Sequence, residues 1–185
     1  MLAGRCACLV LLAFHVSPAA ATYAPTDKAG LRAALVAWDA NPTQSLADYG
    51  AGDTWDVTAV TSFSYGSSTA PYGLLGLLAN FDEDLTGWDT SSVTAMDHMF
   101  EDASAFNKPL VFDTGSVTSM DGMFYSASDF NQPLVFDTGS VTTMGGMFSS
   151  ASVFNQPLVF DTGSVTNMGS MFYSASAFNQ PLVLD

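Results

Sequence analysis

Trp88, Phe112, Phe136, Phe160 and Leu184 mark a regular 24-residue period, and between them the sequence repeats almost unchanged. A fixed period of this length constrains folding more than any local propensity does. Successive units must take up one conformation and bury their apolar faces against each other. The unit from Phe136 reads FDTGSVTTMGGMFSSASVFNQPLV, and its neighbour from Phe112 reads FDTGSVTSMDGMFYSASDFNQPLV. The copy from Trp88, WDTSSVTAMDHMFEDASAFNKPLV, keeps the apolar columns and changes polar positions, as a division between core and surface demands. Further upstream, Trp55 to Phe63 matches Trp88 to Met96 at an offset longer than the period, which predicts a degenerate first copy. The insertion behind it, Tyr65 to Gly73, is rich in turn formers and reads as a surface loop. Asp185 falls where another copy would start, so the array is expected to continue beyond it.

Inside each unit, Met144, Met147, Phe148 and Ala151 are spaced i, i+3, i+4 and i+7, which predicts a short helix with one apolar face. Met96, Met99, Phe100, Ala103 repeat the spacing, as do the sets beginning at Met120 and Met168. Thr118, Thr142 and Thr166 are positioned to cap the start of that helix. The following Phe-Asn-Gln-Pro-Leu-Val-Phe-Asp alternates apolar and polar residues around a proline suited to a strand's first position, which predicts a strand over Leu134 to Asp137. Strands that return once per period pair in parallel and stack identical side chains in ladders. The expected fold class is therefore α/β, a solenoid of 24-residue coils with a short parallel strand and a short helix in each.

An exposed end coil needs a cover. Thr26 to Asp39 carries Leu31, Leu35 and Trp38 at helical spacing behind a Thr26-Asp27 start and ahead of an Asn41-Pro42 stop, which predicts an N-terminal capping helix. Before it, Arg5, the apolar run Cys6 to Phe14 and the small residues Ala19-Ala20-Ala21 have the layout of a signal peptide over residues 1–21. The expected organisation is then 22–50 for the cap, 51–87 for the degenerate copy with its insertion, and 88–185 for the tandem units. Both cysteines, Cys6 and Cys8, lie in the leader, so a secreted mature chain would draw its stability from a continuous core rather than from disulfides. No other segment resembles a membrane span. Without Arg5, three basic residues face 18 acidic ones, which disfavours nucleic acid and anionic lipid as partners.

Several strings invite a chemical reading. Phe112-Asp113-Thr114-Gly115-Ser116 is the hydrophobic-DTGS string of pepsin-like proteases, and it recurs at Phe136 and Phe160. That chemistry needs two aspartates facing each other across a cleft and sharing one proton, whereas a column of turns one period apart lines carboxylates along one edge. The string reads better as a turn, with Asp and Thr bonding nearby amides and Gly easing the bend. Asp89, Asp113, Asp137 and Asp161 in a row suggest calcium as the one cation to consider, and no cofactor is otherwise expected. The methionines sit beside Phe at helical spacing and read as gap-filling core. His98 is the single histidine beyond the leader, so no repeated nucleophile-base pair can form, and it reads as exposed. Asn107, Asn131, Asn155 and Asn179 form a column of the kind that satisfies turn backbone groups.

The phrase Trp88-Asp89-Thr90-Ser91-Ser92-Val93-Thr94 with Met96, Met99, Phe100 and Ala103, followed by Phe-Asn-Gln-Pro-Leu in later copies, resembles the BspA-like surface proteins of leucine-rich-repeat type and their mycoplasma branch of unknown function. Ser116 to Met120 with Met123, Phe124 and Ala127 is also similar to the core of bacterial leucine-rich repeats. The resemblance implies a leucine-rich-repeat-like solenoid at the cell surface, with adhesion to host or matrix proteins as the activity of some members. The function expected is a non-enzymatic, secreted or cell-surface scaffold that binds an extracellular protein. Val111, Asp113, Val135, Asp137, Val159 and Asp161 form the candidate interaction surface. The competing expectation is a binder of ice or mineral through rows of Thr114, Thr138, Thr162 and Thr118, Thr142, Thr166 together with the row of Asp89, Asp113, Asp137 and Asp161.

Overall fold

The computed structural model describes residues 22–64, 73–76 and 78–184, so the expected leader and nearly all of the expected loop after Ser64 lie outside the described residues. Two helices open the chain: α1, Lys28–Ala40, and α2, Pro42–Tyr49. The Asp27 carboxylate caps α1 by accepting the Gly30 N–H at 2.8 Å, and Leu31, Ala34, Leu35 and Trp38 form its buried stripe. Asn41-Pro42 ends this helix and also starts the next. The Asn41 side chain accepts the Gln44 N–H at 3.2 Å, and Pro42 fills the first-turn position where its missing N–H costs nothing.

After a single 3-10 turn at Gly52–Thr54, backbone hydrogen bonds join successive coils over one segment of each, as from Thr118 to Ser126. Isolated parallel bridges join Ser62 to Ala95, Ala95 to Ser119, Ser119 to Thr143 and Thr143 to Asn167. The first step is longer than the others, which are equal, and these are the same offsets that align the copies in sequence. On a second side, β1 (Leu158–Phe160) and β2 (Leu182–Leu184) pair in parallel with Leu158 opposite Leu182. Leu134 to Asp137 has no assigned ladder. Its alternation is nevertheless the expected one, with Leu134 and Phe136 turned inward and Val135 outward.

The segment expected as a helix differs in kind, because among the described residues 88–184 hold no α-helix. Left-handed residues recur every fourth position, at His98 and Asp102, Gly122 and Ser126, Gly146 and Ser150, Ser170 and Ser174, with φ of 55° to 61°. Each such residue breaks an α-helix. The backbone instead alternates its bonds. The Met123, Tyr125 and Ala127 N–H groups close three-residue turns onto Met120, Gly122 and Phe124, while Gly122, Phe124 and Ser126 donate to Gly145, Met147 and Ser149 of the next coil. Met120, Met123, Phe124 and Ala127 still all point inward, each fully buried. The apolar spacing therefore reports the inward face correctly, although it belongs to a turn ladder rather than to a helix.

Burial in register produces aromatic columns. Phe100, Phe124, Phe148 and Phe172 stack at centroid distances of 5.2, 5.4 and 5.6 Å, nearly parallel. Phe106, Phe130, Phe154 and Phe178 form a second stack at 6.0 to 6.1 Å. The two columns touch within each coil, at 4.3 Å between Phe124 and Phe130. Helix α1 continues this core at its other end. Trp38 meets Trp55 edge-on at 5.9 Å, and Trp55 stacks on Trp88 at 6.4 Å. Arg32 ties α1 to the Leu74 and Gly76 carbonyls at 2.6 and 2.8 Å, and Lys28 ties it to the Ser64 carbonyl at 2.5 Å.

Candidate interaction surface

Along the strand-like side of each coil, residues alternate strictly between core and solvent. Leu134, Phe136 and Thr138 point in, while Val135 and Asp137 point out. Val111, Val135 and Val159 are 66%, 90% and 69% exposed, an uncommon state for valine repeated at one register position. Asp113, Asp137 and Asp161 share that outer face two residues further along each coil. Rows on neighbouring coils lie about 4.8 Å apart, and two residues along a strand span about 6.6 Å. The result is a valine stripe running beside an aspartate stripe, both set by the coil-to-coil register of the backbone.

Each aspartate of the stripe is held by its own turn. Asp113, Asp137 and Asp161 accept the N–H of Gly115, Gly139 and Gly163 at 3.1, 3.1 and 2.9 Å. Asp89 accepts both the Ser91 N–H at 3.0 Å and its hydroxyl at 2.7 Å, and these bonds, the hydroxyl's first, lower its carboxyl below the usual range. The DTGS string is thus a turn, as its composition suggests, with two differences. Gly115 and Gly139 do not need glycine's backbone freedom, since Ser91 fits the same position and a Cβ there would make only ordinary contacts. The threonines do not bond amides of their own turn. Thr90, Thr114 and Thr138 are buried and donate to the Asp113, Asp137 and Asp161 carbonyls of the next coil at 3.0, 2.9 and 2.9 Å.

The second threonine column also links coils. Thr118, Thr142 and Thr166 cap no helix, and their hydroxyls donate to the Thr94, Thr118 and Thr142 carbonyls at 3.2, 2.9 and 3.0 Å on an exposed side. Asparagine forms a third ladder. The Asn131, Asn155 and Asn179 N–H groups donate to the Asn107, Asn131 and Asn155 side-chain oxygens at 3.0, 2.9 and 2.9 Å. Sequence reasoning overlooked a fourth. Asp97 accepts the Ser64 hydroxyl at 2.6 Å, the Asp121 N–H at 3.2 Å and the Ser119 hydroxyl, and Asp121 accepts the Thr143 hydroxyl and Gly145 N–H at 2.5 Å each. The signal was present, because Asp97 and Asp121 are a full period apart, but an aspartate beside methionine reads as surface.

His98 is half-buried rather than exposed. Its Nδ1 lies 3.2 Å from the Glu101 carboxylate without hydrogen-bond alignment, and its ring fills the space above Gly122, where a Cβ would come within 2.5 Å of Nδ1. Burial raises the Glu101 carboxyl above the usual carboxylate range, with His98 opposing the shift. Among the described residues, no group of three or more His, Cys, Asp or Glu is placed to hold a metal ion. Lys108, the remaining cation, pairs with Asp82 at 2.9 Å, so residues 109–184 contain aspartates and no Lys, Arg or His at all.

These features define a tandem-repeat protein whose coils are joined by backbone and side-chain ladders. Residues 42–135 and, in an overlapping second match, 111–184 match the family described as mycoplasma protein of unknown function, DUF285; the chain belongs to that family. No curated protein and no solved structure matches it. No helix among the described residues is long and apolar enough to cross a membrane.

Proposed function

We propose that the chain is a non-enzymatic, secreted or cell-surface scaffold of the BspA-like leucine-rich-repeat type, a solenoid that binds an extracellular protein through the valine and aspartate stripes. The observation that carries this reading is the exposure of Val111, Val135 and Val159 in one row, two residues from a row of aspartates. A monomeric surface seldom repeats exposed valines without a partner to cover them. The absence of cationic side chains from residues 109–184 favours a partner with basic side chains lying against the aspartates. Most of the polar side chains that repeat with the period are already engaged in turns and coil-to-coil bonds, which supports a scaffold rather than a reaction centre. The test is saturable binding to a panel of purified extracellular-matrix and cell-surface proteins, with and without calcium. A Val135→Lys, Asp137→Lys double variant is expected to lose it. No saturable binding to any of the panel would sink the proposal.

Ice or mineral binding has less support. Thr114 and Thr138 are buried, and the hydroxyls of Thr118, Thr142 and Thr166 are turned to backbone carbonyls.

A further inference from the structure

The turn ladder has a direction. His98, Phe100 and Asp102 donate their N–H groups to the Asp121, Met123 and Tyr125 carbonyls of the following coil at 2.8, 2.8 and 2.9 Å, and Gly122, Phe124 and Ser126 donate to Gly145, Met147 and Ser149 at 2.8 Å each. A coil therefore shows carbonyls to the one before it and N–H groups to the one after. Before the coil that begins at Trp55 stands α1, and register identifies the carbonyls turned towards it. Ser62 bridges to Ala95, so Ser64 stands where Asp97 and Asp121 stand. The Leu75 N–H donates to Met99 as that of Phe100 donates to Met123, so Leu74 and Gly76 stand where Met123 and Tyr125 stand. These three carbonyls are the ones α1 covers. Lys28 donates to Ser64 at 2.5 Å, and the two arms of the Arg32 guanidinium donate to Leu74 and Gly76 at 2.6 and 2.8 Å. Two cationic side chains one helical turn apart thus supply the donors that a preceding coil would supply from its backbone. At the other end, the Ser170, Phe172 and Ser174 N–H groups occupy the donor positions and meet no acceptor among the described residues. Phe172 and Phe178 there are half-buried, whereas Phe148 and Phe154 beneath them are fully buried.

We infer that Lys28 and Arg32 lock the first coil against a second copy of this chain, whose coil of Ser170, Phe172 and Ser174 is the donor half of an end-to-end interface. Hydrogen-bond polarity selects that occupant. Two first coils would oppose carbonyl to carbonyl, and two last coils N–H to N–H. First on last instead reproduces the bonds already made between Phe148 and Met171 or Ser150 and Tyr173. The apolar columns run in the same order, because Phe81 stacks on Phe106 as Phe106 stacks on Phe130, and an incoming Phe178 would take the next place in that column. An unbonded row of backbone groups templates pairing with another chain, so such an edge needs a cover. Bonds from charged donors are stronger than those from neutral amides, which holds the cover against an incoming N–H row. A contact between unlike ends does not close on itself, so each copy added leaves a further end open and a filament grows along the solenoid axis. The inference concerns the ends of the array and does not depend on the valine and aspartate stripes being a binding surface.

The test is Lys28→Met combined with Arg32→Met in the full chain, which keeps apolar stems at both positions and removes the donors. Sedimentation velocity is expected to show one copy for the parent and concentration-dependent growth to several copies for the double variant, with elongated particles in small-angle scattering. Amide exchange at Phe172 and Ser174 is expected to slow about tenfold in the assembled variant, because those groups gain acceptors. Adding Phe172→Asp, which places a carboxylate at the donor end, is expected to return the double variant to one copy. A double variant that keeps its circular dichroism and stays single at every concentration overturns the inference, as does a parent that assembles by the same route. Assembly that persists with Phe172→Asp, or that leaves exchange at Phe172 and Ser174 unchanged, also overturns it, by making a loosened α1 the contact. Should the double variant lose its fold, Arg32→Met alone, which frees the Leu74 and Gly76 carbonyls, is read in the same way. Loss of fold in that variant too overturns the inference, since the cations would then support the first coil rather than lock it.

Discussion

Thr138 and Thr142 offer a matched pair in which the same chemical change tests one physical term. Each hydroxyl donates to a backbone carbonyl of a neighbouring coil at 2.9 Å, Thr138 to Asp161 and Thr142 to Thr118. They differ in burial, Thr138 being 2% exposed while Thr142 is open to solvent. Thr→Val keeps the shape and β-branching and replaces the hydroxyl with a methyl group. At position 142 water can take over the freed carbonyl, so the loss should stay below about 1 kcal/mol. At position 138 the buried hydroxyl is lost from a partly buried bond and the Asp161 carbonyl loses its donor, a cost of about 1 to 3 kcal/mol. For a chain of this size that corresponds to a fall in melting temperature of about 2 to 4 °C for each kcal/mol. Urea unfolding of the two variants against the parent, at unchanged m, reads the difference directly. Equal effects of the two substitutions, or a stabilised Thr138→Val, would refute the claim that buried hydroxyls join the coils.

Phe148→Ala should destabilise by about 3 to 5 kcal/mol in the same assay, because its ring is fully buried and contacts Phe124, Phe154 and Phe172 at 5.4, 4.2 and 5.6 Å. Gly146→Ala has open space around its new methyl group, the nearest atom being 3.8 Å away, but φ is +60°, so a cost of about 1 to 2 kcal/mol is expected from the backbone alone. Ser150→Gly, at φ of 61°, should in contrast be neutral or mildly stabilising in thermal unfolding. Glu101→Gln should stabilise at neutral pH and lose that advantage in acid. The folded-state carboxyl is raised, so the folded chain binds its proton more tightly than the unfolded chain, and the penalty of ionising it grows as pH rises past the ordinary carboxylate value and is complete above the raised one. Unfolding midpoints measured for both chains from strongly acidic to neutral pH check the sign.

The inward columns were legible in the sequence because one period carries the same information several times. Met120, Met123, Phe124, Ala127 and Phe130 recur identically at Met144, Met147, Phe148, Ala151 and Phe154, and all are buried. Apolar spacing reports which side chains face the core, not which hydrogen bonds the backbone makes, so it does not separate a helix from the turn ladder found here. What decides the bonding is a conformation that composition signals weakly. Gly122 and Gly146 hint at left-handed backbone, but His98, Ser126 and Ser150 take the same conformation without any such signal. The valine and aspartate stripes followed from alternation around Phe112, Phe136 and Phe160.

The alternating backbone also explains where variation is tolerated. Every second N–H of the turn ladder is committed to the next coil, so an inward side chain sits between identical neighbours above and below and must fit both. An outward side chain meets its counterparts only through the edge of its row. Ser149 can therefore stand between Tyr125 and Tyr173, and Val153 can follow Asp129, without disturbing the phenylalanine stacks beneath. Tyr125, Ser149 and Tyr173 close the same turn in their three coils, so their differences do not arise from backbone geometry. Recognition on such a scaffold is then written in the outer rows alone, with the spacing of each row fixed by the stack and its chemistry free to change one coil at a time.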